Sequence, residues 1–206
     1  MFSKIIKFLK SESKERGLYY SFIMNLSQLI GIIRGLFYKT IYFNNIKSSL
    51  FVMQAKSRIE VFNRKSKINI GKFVFIRKNT TIRIDDESTL DIADHVFIND
   101  NCNINCANKI TIGSYTKIAP NVCINDHDHN YKGIGDSNLI KGEVIIGKNV
   151  WIGSNTVILR GTVIEDNAVI AAGSVLKGYV PKNTVFLNKR ENVTKLYKGN
   201  DFKESI

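Results

Sequence analysis

From residue 70 onward, aliphatic side chains return at every sixth position. Ile70, Ile76 and Ile82 make one run, Ile92, Ile98 and Ile104 a second, and Ile112, Ile118 and Ile124 a third. A fourth runs unbroken through Ile146, Ile152, Ile158, Ile164, Ile170 and Leu176. A small or β-branched residue commonly follows four places on, as at Cys102, Thr116, Thr156, Thr162 and Ser174. Helices favour a period near 3.6 and plain strands a period of 2, so a strict six suits neither. It suits a coil of three short flat strands per turn, each adding one aliphatic side chain to a stacked core. The Gly and Ala residues after the aliphatic position, in "IG" and "IA" pairs, leave room for tight corners.

The interruptions of this pattern are as informative as the pattern. The step from Ile82 to Ile92 is ten residues and that from Ile104 to Ile112 is eight, each absorbing a small bulge. The step from Ile124 to Ile146 is twenty-two, sixteen more than the repeat needs. The excess, centred on "DHDHNYKGIGDSNLIKGE", has to leave the coil as a loop, and long loops on a rigid scaffold are places where function concentrates. The expected organisation is a partly helical basic and aromatic segment over 1–60, a coil over 61–182 with an extruded loop over 125–145, and a cap or tail over 183–206. Within that tail, "RENVTKLYKG" is expected to be helical.

Charge adds one feature to this picture. The 206 residues carry a formal net charge of +12, and residues 1–50 supply eight Lys or Arg against two Asp or Glu. An anionic membrane, a phosphate-bearing cofactor, an acidic glycan or a nucleic acid would each suit such a balance. No zinc-finger, helix-turn-helix or aromatic RNA-binding pattern accompanies it, so no nucleic-acid partner is expected. The N-terminal stretch lacks a clean apolar run with a small-residue cleavage site, as a signal peptide would have. The apolar stretch over 18–43 is interrupted by Arg34 and Lys39, and its uninterrupted runs fall short of the roughly 18–20 residues a spanning helix needs. A cytoplasmic protein is the expectation, with peripheral contact at the inner membrane face. Three cysteines with no Cys-x-x-Cys pair speak against a disulfide framework.

Three stretches carry a resemblance: "ITIGSYTKIAPNVCINDHDHNY" (110–131), "VIIGKNVWIGSNTVILRGTVIEDNAVIAAGSVL" (144–176), and the pairing of a histidine with a later tryptophan. Over residues 68–182 the chain resembles the hexapeptide-repeat O-acetyltransferases, which include galactoside and maltose acetyltransferases. The "DHDHNY" form looks most like their capsule and O-antigen branch. The resemblance implies a left-handed parallel β-helix, a homotrimer with sites between neighbouring coils, acetyl-CoA as donor, a sugar hydroxyl as acceptor and no metal. The family's catalytic histidine precedes the tryptophan of "VWIG" by twenty-four positions, which falls on His127. The resemblance further places Asn99 at the acceptor, Ser154 and Ala172 along the coenzyme channel and Lys177 near it, and implies contact with polysaccharide-assembly machinery. Trp151, His129 and Asp126 are added as acceptor-binding candidates and Trp151 and Gly153 as coenzyme-binding ones, with His129 expected chiefly to order the loop. The family's "GVPAKVI" ending is replaced here by "FLNKREN", which leaves the adenosine-end contacts open.

The chemistry asked of these residues is modest. Acetyl transfer from a thioester to an alcohol needs a base to accept the hydroxyl proton, and an imidazole with an ordinary pKa of about 6.5 is mostly neutral at cytoplasmic pH. A backbone N–H near Ser154 is a candidate donor to the oxyanion. Asp126 and Asp128 are candidates to orient the imidazole, or are simply hydrated loop carboxylates. Cys102 falls at a small inward position and reads as a small hydrophobe. Other readings remain open at this point. His95, His127 and His129 invite comparison with a coil-borne zinc hydratase, although the gap of two between the last pair is narrow for it. N-acetylation of an amino sugar and a non-catalytic glycan-binding or scaffold coil also fit the same fold.

Overall fold

The computed structural model describes residues 14–131, 133 and 138–189. A helix, α1 (Leu18–Ile41), leads into a parallel β-helix whose strands stack into three sheets of seven, seven and six strands. The first face runs from Ile46–Ser48 to Tyr179–Val180, the second from Val52–Met53 to Val185–Phe186 and the third from Arg58–Val61 to Val175–Leu176. Each strand pairs with its counterparts one rung below and one rung above, as Lys117 pairs with Phe97 and with Trp151.

The six-residue period maps onto the core as the sequence predicts. Ile76, Ile82, Ile98, Ile112, Ile124, Ile152, Ile158, Ile164 and Ile170 are all fully buried. Each such side chain contributes roughly 1.5–3 kcal/mol relative to its exposed state. The small residues four places on are buried as well, and their hydroxyls tie down corners: Thr156 Oγ1 donates to Gly153 O (2.7 Å) and Thr162 Oγ1 to Leu159 O (2.6 Å). The tight bends fall mainly to asparagine rather than glycine. Asn79, Asn101, Asn121, Asn149, Asn155, Asn167 and Asn183 all have φ between 53° and 61°, a region that Asn tolerates better than most L-residues.

The bulges at 82–92 and 104–112 have a structural cause. Ile46 pairs with Ile68, Ile68 with Leu90 and Leu90 with Ile110, so each early rung is longer than three hexapeptides. Strands of the first and third faces there, such as Thr81–Ile84 and Lys109–Ile112, are long enough to send two apolar side chains inward each. Later rungs shorten to three hexapeptides, as in the pairing of Ile145 with Val163.

The boundaries differ from the sequence-based expectation at both ends. The coil begins at Ile46, not at 61, because Ile46, Met53 and Ile59 fill the first rung of the core. At the other end, Val185–Phe186 pairs with Val169–Ile170 and extends the coil past 182. The helix expected over "RENVTKLYKG" lies outside the described residues. The apolar stretch over 18–43 forms one continuous helix that is long and apolar enough, by length and composition, to cross a membrane. Two polar interruptions do not break it, because Arg34 and Lys39 are good helix formers.

Candidate active site

The loop starts where the third face ends its fourth rung. After Cys123–Asn125, the chain turns out of the coil and His127–His129 pairs antiparallel with Leu139–Lys141. The opening residues of the loop are thus a short hairpin rooted on the coil, anchored further by Gly142 N–H donating to Asp126 O (2.8 Å).

Asp126 is the pivot of this root. It is fully buried and so is not a hydrated loop carboxylate. Its Oδ1 accepts the Ala107 N–H (2.8 Å) and its Oδ2 the Asn108 N–H (2.8 Å), both from the rung below. The same Oδ1 stands 2.8 Å from His127 Nδ1. A buried carboxylate that accepts from two backbone amides is acceptor-only, so His127 Nδ1 carries the proton and Nε2 is the basic nitrogen. The His127 side chain keeps 22% of its exposure, enough to meet a ligand. Asp128 has a different partner: its Oδ2 accepts from Arg160 Nε at 2.6 Å, tying the hairpin to the next rung of the coil.

His127 and His129 line a groove of about 860 Å³ along the third face. Its floor is an outward column in direct register, in which Asn125 pairs with Asn105, Asn105 with Arg83 and Arg83 with Glu60. Asn105 Nδ2 donates to Asn125 Oδ1 (2.8 Å), and Arg83 Nε donates to Glu60 Oε2 (2.7 Å). Phe62, Asp85, Asp86 and Leu139 complete its rim. Lys141 pairs with Asp86, so the groove does not concentrate the positive excess of the chain. Arg83, Asp85, Asn105 and Asn125 were not among the residues singled out in the sequence. The polar residue that directly follows the buried isoleucine of each third-face strand (Ile82, Ile104, Ile124), followed from rung to rung, is the signal that would have revealed three of them.

The remaining predicted residues gather elsewhere. Trp151 is 50% exposed on the second face, between Lys117 and Val169. Gly153, Ser154 and Ala172 sit at the corner between the second and third faces, and Asn99 lies two rungs below Gly153 in the same corner column. A side chain at Gly153 would meet the Ala172 backbone N at 2.5 Å, which packs this corner backbone against backbone. The N–H groups flanking Ser154 are committed to the coil: Gly153 donates to Ile170 O (2.8 Å) and Asn155 to Pro120 O (3.1 Å). Asn99 Oδ1 accepts the Asp100 N–H (2.8 Å). Lys177 is exposed just after Val175–Leu176, at the far end of the third face from Ser154. Within one chain, therefore, the His127 groove and the Trp151 corner occupy opposite edges of the third face.

His95 is not a partner of the other two histidines. It stacks between Phe73 (centroids 5.1 Å apart) and Tyr115 (4.7 Å) at the corner joining the first and second faces. Within one chain that placement keeps His95 away from His127 and His129, and no group of three metal-ligating side chains occurs among the described residues. Cys102 and Cys106 are buried, and desolvation pushes the Cys102 thiol up to about 11 and raises Cys106 as well, with the Asp126 charge adding to the latter.

Comparisons with known proteins follow the same outline. The bacterial transferase hexapeptide (six repeats) family model matches residues 143–178, so the chain carries that repeat. A putative lipopolysaccharide biosynthesis O-acetyl transferase, WbbJ of Escherichia coli, is 34% identical over 116 residues, covering 51% of this chain and 59% of that protein. The galactoside O-acetyltransferase of Escherichia coli is 36% identical over 100 residues, covering 48% and 49%. The match thus spans about half the length of these curated relatives. Among solved structures, a mutant of the N-acyltransferase AntD from Bacillus cereus, in complex with dTDP and coenzyme A, superposes with a TM-score of 0.59 at 18% identity. That superposition covers 72% of this chain and 81% of AntD, and at this identity it speaks to the fold.

Proposed function

We propose that this chain transfers the acetyl group of acetyl-CoA to a hydroxyl of a sugar, with His127 as general base. The observation that carries the reading is the Asp126–His127 pair at the wall of a groove large enough for a saccharide. The similarity to two O-acetyltransferases supports the choice of oxygen as nucleophile. The first of them is named for lipopolysaccharide biosynthesis, and the proposed acceptor class is a bacterial surface polysaccharide or its precursor.

In this reading, Nε2 of His127 takes the acceptor proton as the sugar oxygen attacks the thioester carbonyl. The tetrahedral intermediate then collapses with cleavage of the C–S bond, and the coenzyme A thiolate leaves as the thiol with the proton returned by the imidazolium. Asp126 holds the ring in the tautomer that presents Nε2 and stabilises the imidazolium that forms. The Asn105 and Asn125 amides and His129 bind acceptor hydroxyls from the floor and wall of the groove. Acetyl-CoA supplies the activated acyl group, and the residues present fit its arm. Trp151, Val169 and Val185 form an outward apolar column on the second face, and the Gly153, Ser154 and Ala172 corner carries no large side chain to block backbone approach. The Ser154 N–H is the proposed oxyanion donor. Lys177, on the other edge, belongs with the His127 side of a site rather than with the coenzyme corner of its own chain.

Because base and coenzyme corner lie on opposite edges of one coil, a working site needs the corner of a second copy. A closed trimer supplies that arrangement three times over. The test is thiol release from acetyl-CoA by the purified chain with a panel of bacterial surface glycans, comparing wild type with His127→Ala. Acceptor-dependent release that falls by about a hundredfold or more in the variant supports the reading. Equal release by both proteins removes His127 from the chemistry, acetylation at an amino group moves the reaction to N-transfer, and absence of acetyl-CoA binding leaves a scaffold.

A further inference from the structure

Helix α1 is docked the wrong way round for a helix whose role is to cover a core. Its buried residues are Ser21, Gly31 and Gly35. A Cβ at Gly31 would meet Val52 Cγ1 at 2.5 Å and Met53 O at 3.3 Å, and one at Gly35 would meet Phe51 O at 2.6 Å. The small face thus lies against the first rung of the coil, held at its end by Lys39 Nζ donating to Ser48 O (2.8 Å). At 3.6 residues per turn, positions 18, 22, 29, 33 and 36 share one stripe, on the side of the helix away from Gly31. They are Leu18 (80% exposed), Phe22 (64%), Leu29 (54%), Ile33 (57%) and Leu36 (43%). An amphipathic helix normally turns such a stripe inward. Here the large apolar side chains are turned away from the protein.

Charge decides what covers them. No Asp or Glu occurs between Glu15 and Glu60, whereas Arg16, Arg34, Lys39, Lys47, Lys56 and Arg58 all fall there. A second copy of this helix would set like charges against like, whereas an anionic lipid headgroup layer complements them. Exposed aromatic residues sit towards both ends, Tyr19 and Tyr20 at one and Phe37 and Phe43 at the other, residue types that rest well at a membrane–water boundary. At about 1.5 Å per residue α1 is roughly 36 Å long, enough to cross a bilayer. Its small face is nevertheless packed on a coil with a polar surface, and that coil would have to enter the hydrocarbon if the helix stood upright.

We infer that α1 is a membrane-docking element that lies in the plane of an anionic bilayer, with the Leu18–Phe22–Leu29–Ile33–Leu36 stripe in the acyl region and the coil held in the aqueous phase. This surface is separate from the groove, so its test is independent of the acetyl-transfer reading.

The test is flotation of the full chain with phosphatidylcholine vesicles containing one-third phosphatidylglycerol, with pure phosphatidylcholine vesicles and without lipid. The protein is expected to float with the anionic vesicles, to float less as NaCl is raised to 0.5 M, and to be released by a carbonate wash. The Leu29→Gln/Ile33→Gln variant is expected to lose at least about tenfold in partitioning with its melting temperature unchanged, because both side chains are solvent-facing. Phe22→Gln provides an independent reading of the same stripe. Absence of flotation, or flotation insensitive to these substitutions, overturns the inference. So does retention through the carbonate wash, which would put α1 across the bilayer, or a change of oligomeric state in the variant by light scattering, which would put a second copy on the stripe.

Discussion

Replacing Asp126 with Asn isolates the charge of the pair from its shape. The carboxylate accepts three N–H groups, from His127 Nδ1, Ala107 and Asn108, all at 2.8 Å. An amide of the same outline has one acceptor oxygen. With that oxygen kept towards His127 and Ala107, the NH2 group faces the Asn108 N–H, and one buried donor goes unpaired. The expected loss of stability is about 1–3 kcal/mol. The kinetic loss has a different origin. When His127 takes the acceptor proton, a positive ring appears beside a position that no longer carries a negative charge. At a charge separation of about 4 Å and an effective dielectric near 20, that interaction is worth about 4 kcal/mol. Such a loss corresponds to about a thousandfold in kcat.

The assay is acceptor-dependent thiol release at saturating acetyl-CoA, beside a thermal melt of the same preparation. Asp126→Asn is expected to keep its KM for acetyl-CoA, since Asp126 is fully buried beneath His127 and bonds Ala107, Asn108 and His127, none of them in the proposed coenzyme corner. It should fall no further than His127→Ala, because the two residues act as one unit. A variant that melts earlier yet keeps kcat within about threefold would refute this account. Asp126 would then be a strut for the hairpin, and the proton would be going elsewhere.

Gly153→Ala should cost about 1–3 kcal/mol in a denaturant melt, since the added methyl meets backbone atoms of Ala172 and Ile170 that belong to the stacked coil. Ile152→Ala, at a fully buried core position, should cost about 2–5 kcal/mol by the same measurement. Trp151→Ala should raise the KM for acetyl-CoA by about tenfold while leaving the fold intact, because the ring is half exposed on an apolar column; an unchanged KM would return Trp151 to packing alone. Alkylation of the native protein at pH 8 should leave Cys102 and Cys106 unmodified, because burial raises both thiols far above that pH and keeps them protonated; modification of either by mass spectrometry would contradict the packing around it.

How much of this was legible in the sequence follows from which residues the coil constrains. The inward column repeats every six positions because each such side chain must fill the same slot in a stacked core, so Ile146 through Leu176 declared the fold without help. The first rungs were harder to see. Longer strands such as Arg58–Val61 and Thr81–Ile84 stretch the rung beyond three hexapeptides, which hides the period before residue 70. Outward residues obey no such rule. Arg83, Asn105 and Asn125 line up only once the register is known, and the register depends on rung lengths that shrink along the coil. The family spacing from Trp151 points to His127, yet the two lie on opposite edges of the third face of one chain, a separation that a linear spacing cannot express.

Asp126 shows what local sequence leaves open at a site of this kind. Flanked by polar neighbours in "NDHDHN", it has the look of a hydrated loop residue. Its burial is imposed from another rung, by the amides of Ala107 and Asn108, which need an acceptor where their strand ends. Buried backbone N–H groups without a partner are costly, so the rung below demands an acceptor at that point whether or not chemistry follows. The demand also fixes the carboxylate against rotation, and a fixed carboxylate fixes the imidazole beside it. The same bonds that close the coil beneath the hairpin therefore hold His127 in one tautomer and one orientation, which is what the proposed role as base requires before an acceptor arrives.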